Sequence, residues 1–188
     1  MNDIQGVLFD ADGTLIDTYD IILASMRYAV NDVLGCSLDD AELMAGVGTP
    51  LYDQMLHFTG GDAARATEIT QIYRDHNDGV HDARIRAFGD TKAALERFQA
   101  AGIPMGVVTS KRHWLAQRGL EICELDSFFE FLVGSDDWPE HKPAPGPILH
   151  GCELLGIAPV QCIYIGDSPF DIQAANAAGC QSVAALWG

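Results

Sequence analysis

Positive charge is what this chain has least of. Eleven Lys and Arg stand against 27 Asp and Glu, for a net charge of −16. Most of such a surface repels a nucleic-acid backbone, so binding driven by phosphate contacts along a duplex is excluded. Lysine is the scarcest cation: Lys92, Lys111 and Lys142 are all there are. Long apolar runs are missing too. None approaches the roughly 18 residues that a membrane-spanning helix needs. The opening Met1-Asn2-Asp3-Ile4 has neither a basic stretch nor an apolar one of the secretory kind. A cytoplasmic protein with no membrane partner is the expectation. The five cysteines (Cys36, Cys123, Cys152, Cys162 and Cys180) contain no CxxC pair and are odd in number. That argues against a disulfide framework or a zinc site and for scattered buried thiols.

What is present suits a globular domain with a modest insertion: 188 residues, 48% of them hydrophobic. Ile4 to Phe9 is a short apolar strand that ends at Asp10. Helical spacing follows. Ile22, Met26, Val30 and Val33 share one face of a helix over 17–34, and Ser37 with Asp40 resembles a capping box. Further helices are read at 51–58 and 62–78, with no convincing strand between 16 and 82. From Asp90 onward, helices alternate with strands at 103–109, 129–134, 161–166 and 181–186. Alternation of this kind predicts an α/β fold, a doubly wound, Rossmann-like parallel sheet covered on both faces. Residues 1–16 and 83–188 would form that core, and 17–82 an inserted α-helical cap domain.

In an open parallel sheet, ligands bind beyond the carboxyl ends of the strands. Strand one ends in Asp10-Ala11-Asp12, the second core strand in Thr109-Ser110, and the fourth in Gly166-Asp167-Ser168, while Lys142 follows the third. In extended chain, residues i and i+2 point the same way, so Asp10 and Asp12 can face one site. Close carboxylates repel and call for a cation. Asp167 would complete the oxygen ligands of a magnesium ion, and Asp171 could join them through water or serve only as a carboxylate at a helix start. The prolines of Lys142-Pro143-Ala144-Pro145 fix where that ammonium points. Thr109 and Ser110, at a helix start, can bind an anion or simply cap. Lys111 could add charge there or face solvent.

Taken together, Phe9-Asp10-Ala11-Asp12-Gly13-Thr14-Leu15, Val107-Val108-Thr109-Ser110-Lys111, Lys142-Pro143-Ala144-Pro145 and Gly166-Asp167-Ser168-Pro169-Phe170-Asp171 resemble the motifs of the haloacid dehalogenase-like (HAD) hydrolase superfamily. The helical insert is similar to the small cap of its phosphoglycolate phosphatase and beta-phosphoglucomutase branch. The resemblance implies a Mg2+-dependent phosphatase that hydrolyses a small phosphate monoester, phosphoglycolate-like, through an aspartyl-phosphate. Asp10 would be the nucleophile and Asp12 the general acid/base. Asp10, Asp167 and the Asp12 backbone carbonyl would hold magnesium, and Thr109 or Ser110 with Lys142 would bind the phosphoryl group. Gly46-Val47-Gly48-Thr49-Pro50 resembles the substrate loop of phosphoglycolate phosphatases and related pyrophosphatases, which would give Gly46, Gly48 and Thr49 a part in specificity; it reads equally as a plain helix connection. A pyrophosphatase, a phosphomutase and, in another class, a non-catalytic binding protein are the alternatives on this core. Three features depart from the pattern. Ser110 stands where asparagine is common, Phe88-Gly89-Asp90 lacks a proline, and the sequence stops at Trp187-Gly188 before a further strand and helix.

Overall fold

The computed structural model describes residues 4–188. Apolar runs with no polar interruption make the central strands, because a parallel strand is buried on both faces. β1 (Gly6–Phe9) and β4 (Met105–Val108) are buried along their whole length. With β5 (Leu132–Val133), β6 (Cys162–Gly166) and β7 (Gln181–Ala184) they form a five-stranded sheet in the order β5-β4-β1-β6-β7. Every pairing in it is parallel. The helices α5 (Thr91–Ala100), α6 (His113–Ile122), α7 (Gly146–Leu155) and α8 (Pro169–Ala178) connect these strands. The doubly wound parallel core read from the alternation is therefore present. Its edge strand β5 keeps two residues, Leu132 and Val133, of the six expected at 129–134, since only these two pair with β4. Among the described residues, no helix is long and apolar enough to cross a membrane.

Leu8, Val108, Ile148, Tyr164 and Ala174 form the heart of one core cluster. Three of the five cysteines join it. Cys152 of α7, Cys162 of β6 and Cys180, just before β7, bring their sulfurs within 4.8 Å of one another. Scattered thiols were the expectation. Folding gathers these three instead, since small polarisable side chains fill the space beside Tyr164.

The helical residues form a unit of their own, Thr18–Ile85. It contains α1 (Tyr19–Met26), α2 (Asp40–Met44), α3 (Leu51–Phe58) and α4 (Ala63–Arg84) around Met26, Leu43, Met55, Ile69 and Tyr73. Two local details differ from the expected pattern. The helix continuing from α1 loosens into a π-helical stretch over Arg27–Val33. The capping box of α2 belongs to Asp39 and Glu42, not to Ser37 and Asp40, because the Asp39 carboxylate accepts from Glu42 N at 2.8 Å and Glu42 answers on Asp39 N. The other unit takes the stretches up to Asp17 and from Arg86. Within it, β2 (Ile16–Asp17) and β3 (Arg86–Ala87) pair antiparallel, so the chain leaves and re-enters through neighbouring strands.

Candidate active site

The sheet sets the backbone of the site before any side chain acts. Asp10 follows β1, and its N–H still donates to Ile165 of β6 at 2.8 Å. Thr109 follows β4 and donates to Val133 at 2.9 Å, and Ala185 N–H holds the end of β6 by donating to Gly166 O at 2.8 Å. Asp10, Thr109 and Asp167 are thereby carried on one carboxyl rim. Gly13 has φ +73, and a Cβ there would stand 2.3 Å from Asp167 Oδ2. Only glycine lets the loop after Asp12 come this close to Asp167. Thr14 Oγ1 donates to Asp167 Oδ1 at 3.3 Å, and Trp187 Nε1 donates to Thr14 O at 3.1 Å.

Lys142 is 3% exposed and lies among three partners. Its ammonium donates to Asp171 Oδ1 and, at 2.9 Å, to the Tyr164 hydroxyl. It stands 3.2 Å from Asp10 Oδ1 as an ion pair. Asp10 Oδ1 is buried and has no aligned hydrogen-bond donor. Tyr164 Oη lies 2.8 Å from Val108 O and 3.2 Å from Asp171 Oδ1, so its one proton is shared between two acceptors. Asp171 Oδ2 accepts from Ser168 N and Oγ at 3.0 and 2.6 Å, closing the capping box of α8. Asp171 is the helix-start carboxylate that its position allows, and it has a second part that its position does not announce. It complements the helix start and, through Oδ1, anchors the lysine beside Asp10.

The charges do not balance. Asp10, Asp167 and Asp171 bring oxygens within 4.8 Å of one another, and Lys142 supplies one positive charge against three negative. Burial pushes the Asp10 carboxyl up to about 7, helped by Asp171 and Asp167 and opposed by Lys142 and a hydrogen bond from Thr109. Burial, then Asp171, raises Asp167 to about 6. Burial also acts on Asp171, but Lys142 and the Ser168 donors outweigh it and hold that carboxyl below its usual range. On Lys142 the burial effect is likewise overcome, by Asp10 and Asp171, and the ammonium is kept. A divalent cation held by Asp10 and Asp167 would supply the missing charge. Hard oxygen donors of this type suit magnesium.

A pH effect of definite sign follows. Asp10 and Asp167 bind protons more tightly folded than unfolded, where 3.8 is the ordinary value. Without metal, the stability these two groups govern falls as pH rises from about 4 to about 7. Asp171 has the opposite shift, so its contribution is present above its ordinary value and is lost only in acid. A metal held by Asp10 and Asp167 would compete with protons there. Magnesium is therefore expected to raise the melting temperature more at pH 8 than at pH 5.5. Equal shifts at both pH values in a thermal melt would contradict this.

Of the residues singled out in the sequence, Asp10, Thr109, Lys142, Asp167 and Asp171 meet here. Asp12 follows Asp10 by two residues and pairs with Lys111, and Ser110 follows Thr109 in the chain. Gly46, Gly48 and Thr49 lie in the separate helical unit, in a turn braced by its own bonds. Thr49 Oγ1 donates to Gly46 O at 2.7 Å, and Gln54 Nε2 donates to Thr49 O at 2.8 Å. Two residues escaped notice or weight. Tyr164 reads as one more apolar position of β6 but seats Lys142. Lys111 pairs with Asp12, Nζ to Oδ1 at 2.8 Å; its place after a core strand had left open whether it faces the site or solvent.

A rim of this design, with an aspartate after β1, a lysine beside it and acidic residues after β6, has clear relatives. The haloacid dehalogenase-like hydrolase family model matches residues 7–185, and the chain belongs to that family. It is an enzyme of the phosphatase kind. In sequence it is 41% identical to a protein of Caldanaerobacter subterraneus subsp. tengcongensis assigned as the pyrophosphatase PpaX, over 98% of this chain and 82% of that one. In structure it is similar to a protein of Bacteroides fragilis assigned as a haloacid dehalogenase-like hydrolase, with TM-score 0.92, 27% identity and coverage of 99% and 89%. A Lactobacillus plantarum protein assigned as a phosphoglycolate phosphatase superposes with TM-score 0.88, 25% identity and coverage of 98% and 87%.

Proposed function

We propose that the chain is a Mg2+-dependent phosphatase that moves the phosphoryl group of a small phosphorylated metabolite onto Asp10 and then hydrolyses the aspartyl-phosphate. The observation that supports it most is the buried carboxylate of Asp10, paired at 3.2 Å with an ammonium that Asp171 and Tyr164 immobilise. In the first displacement an Asp10 oxygen bonds to phosphorus while the bond to the leaving oxygen breaks, and Asp12 gives that oxygen a proton. In the second, Asp12 takes a proton from water, the water oxygen bonds to phosphorus, and Asp10 leaves as a carboxylate. Lys142 and Thr109 hold the transferring oxygens, and positioning accounts for most of the rate in such a reaction. Asp10 and Asp167 would hold the magnesium, which supplies charge neutralisation for the phosphoryl group.

For the substrate we place pyrophosphate first, because the relative with 41% identity is assigned as a pyrophosphatase. A phosphoglycolate-like monoester is the second reading, favoured by the likeness to the Lactobacillus plantarum protein. Neither reading involves a nucleic-acid or membrane partner. The test is phosphate release from pyrophosphate, phosphoglycolate and a set of sugar phosphates, with magnesium and with a chelator. Magnesium-dependent release is the expected result, fastest from pyrophosphate. Release that persists in the chelator would remove the metal from the mechanism, and no release from a folded sample would remove the phosphatase.

A further inference from the structure

Two of the chain's three lysines reach the Asp10-Ala11-Asp12 segment, and they divide it. Lys142 stands by Asp10. It is almost wholly buried and pinned by Asp171 and Tyr164. Lys111 stands by Asp12, at 2.8 Å, with 11% of its side chain exposed against 22% for Asp12. This second pair is less deeply buried than Lys142 and Asp10.

The consequence depends on the proposed roles of Asp10 and Asp12. In an in-line displacement the nucleophile and the leaving oxygen lie on opposite sides of phosphorus. With Asp10 attacking, Asp12 marks the leaving side because it delivers the proton there. Lys111 stands with it. We propose that Lys111 and Asp12 form a subsite for a leaving group that is itself a phosphate, so that the enzyme favours phosphoanhydrides over monoesters of uncharged alcohols.

The chemistry of the two leaving groups separates them. A departing alcohol needs a proton, which Asp12 provides. A departing phosphate also carries negative charge that grows as the bridging bond breaks, and a preplaced ammonium stabilises it. Lys111 Nζ stands 2.8 Å from Asp12 Oδ1, so an ammonium is already in place on the side from which the leaving group departs. In a chain of net charge −16, a polyanionic substrate also gains from any cation placed at the rim.

The test compares wild type, Lys111→Met and Lys111→Arg on pyrophosphate and on glycerol 2-phosphate, whose alcohol carries no charge. Lys111→Met is expected to lower kcat/KM for pyrophosphate by about 100-fold and that for glycerol 2-phosphate only slightly, with Arg restoring much of the difference. Equal losses on both substrates would make Lys111 a residue that merely positions Asp12, and no loss on either would remove it from the site; both overturn the subsite. Binding of methylenediphosphonate and of inorganic phosphate to the Asp10→Asn protein, with and without Lys111→Met, separates this inference from the proposed function. Should wild type release no phosphate from either substrate, that function fails. The subsite still stands if Lys111→Met weakens the bisphosphonate and not phosphate, and falls if both ligands bind as before.

Discussion

Asp10→Asn is expected to lower phosphate release by at least about a thousandfold while leaving the metal-free protein at least as stable at pH 8. The two halves of this result have one cause. Asp10 is 5% exposed, and one of its oxygens has no aligned donor, so its charge is costly to the fold and available to chemistry. An amide of the same shape removes the nucleophile and removes the penalty. The fall in stability between pH 4 and 7 should shrink as well, because the group raised to about 7 is gone. Phosphate-release assays and thermal melts across pH check both halves. Retained activity would show that Asp10 is not the nucleophile. A large loss of stability would show that the carboxylate is better satisfied than its surroundings indicate.

Asp171→Ala should be the most damaging change to the fold at this rim. The side chain is fully buried and takes donors from Lys142 and from Ser168 twice. Its loss leaves Lys142 buried with Asp10 as its one paired carboxylate, and breaking such a pair costs roughly 3–5 kcal/mol. The capping box of α8 goes with it, worth about 1 kcal/mol, although the two losses share a residue and will not simply add. Activity should fall too, since the ammonium beside Asp10 is no longer held from behind. Asp171→Asn separates the parts. It can still accept from Ser168, so it should recover the cap contribution and little of the rest. Chemical denaturation midpoints with kcat and KM for both variants provide the check; equal stability of Ala and Asn would mean that the cap adds nothing.

The strand ends were legible because each is an apolar run stopped by a polar residue. Asp10, Thr109 and Asp167 stand where that pattern puts them. Lys142 was legible through its prolines. What hid was contact across the chain. Tyr164 and Asp171 are seven residues apart, yet they meet at Lys142, 22 and 29 residues upstream. No local spacing encodes that. Lys111 and Asp12 are 99 residues apart and meet only because β1 and β4 are neighbours. The cysteine cluster is the same case, assembled from α7, β6 and the approach to β7. Local errors had local causes. Ser37 and Asp39 both offer a capping oxygen, and only Asp39 has a Glu three residues on. The helix from Tyr19 keeps its apolar face beyond Met26 but changes its winding there, which periodicity over seven residues does not resolve.

The paired strands β2 and β3 make the helical insertion a detachable module in a genetic sense. Ile16 lies opposite Ala87 and Asp17 opposite Arg86, so the 68 residues of Thr18–Ile85 occupy the place of a hairpin turn. A lineage can lengthen, shorten or exchange that excursion without rethreading the sheet, whose register is set by strands on either side of the splice. The residues of the carboxyl rim would be inherited with one part of the gene and the helical module with the other.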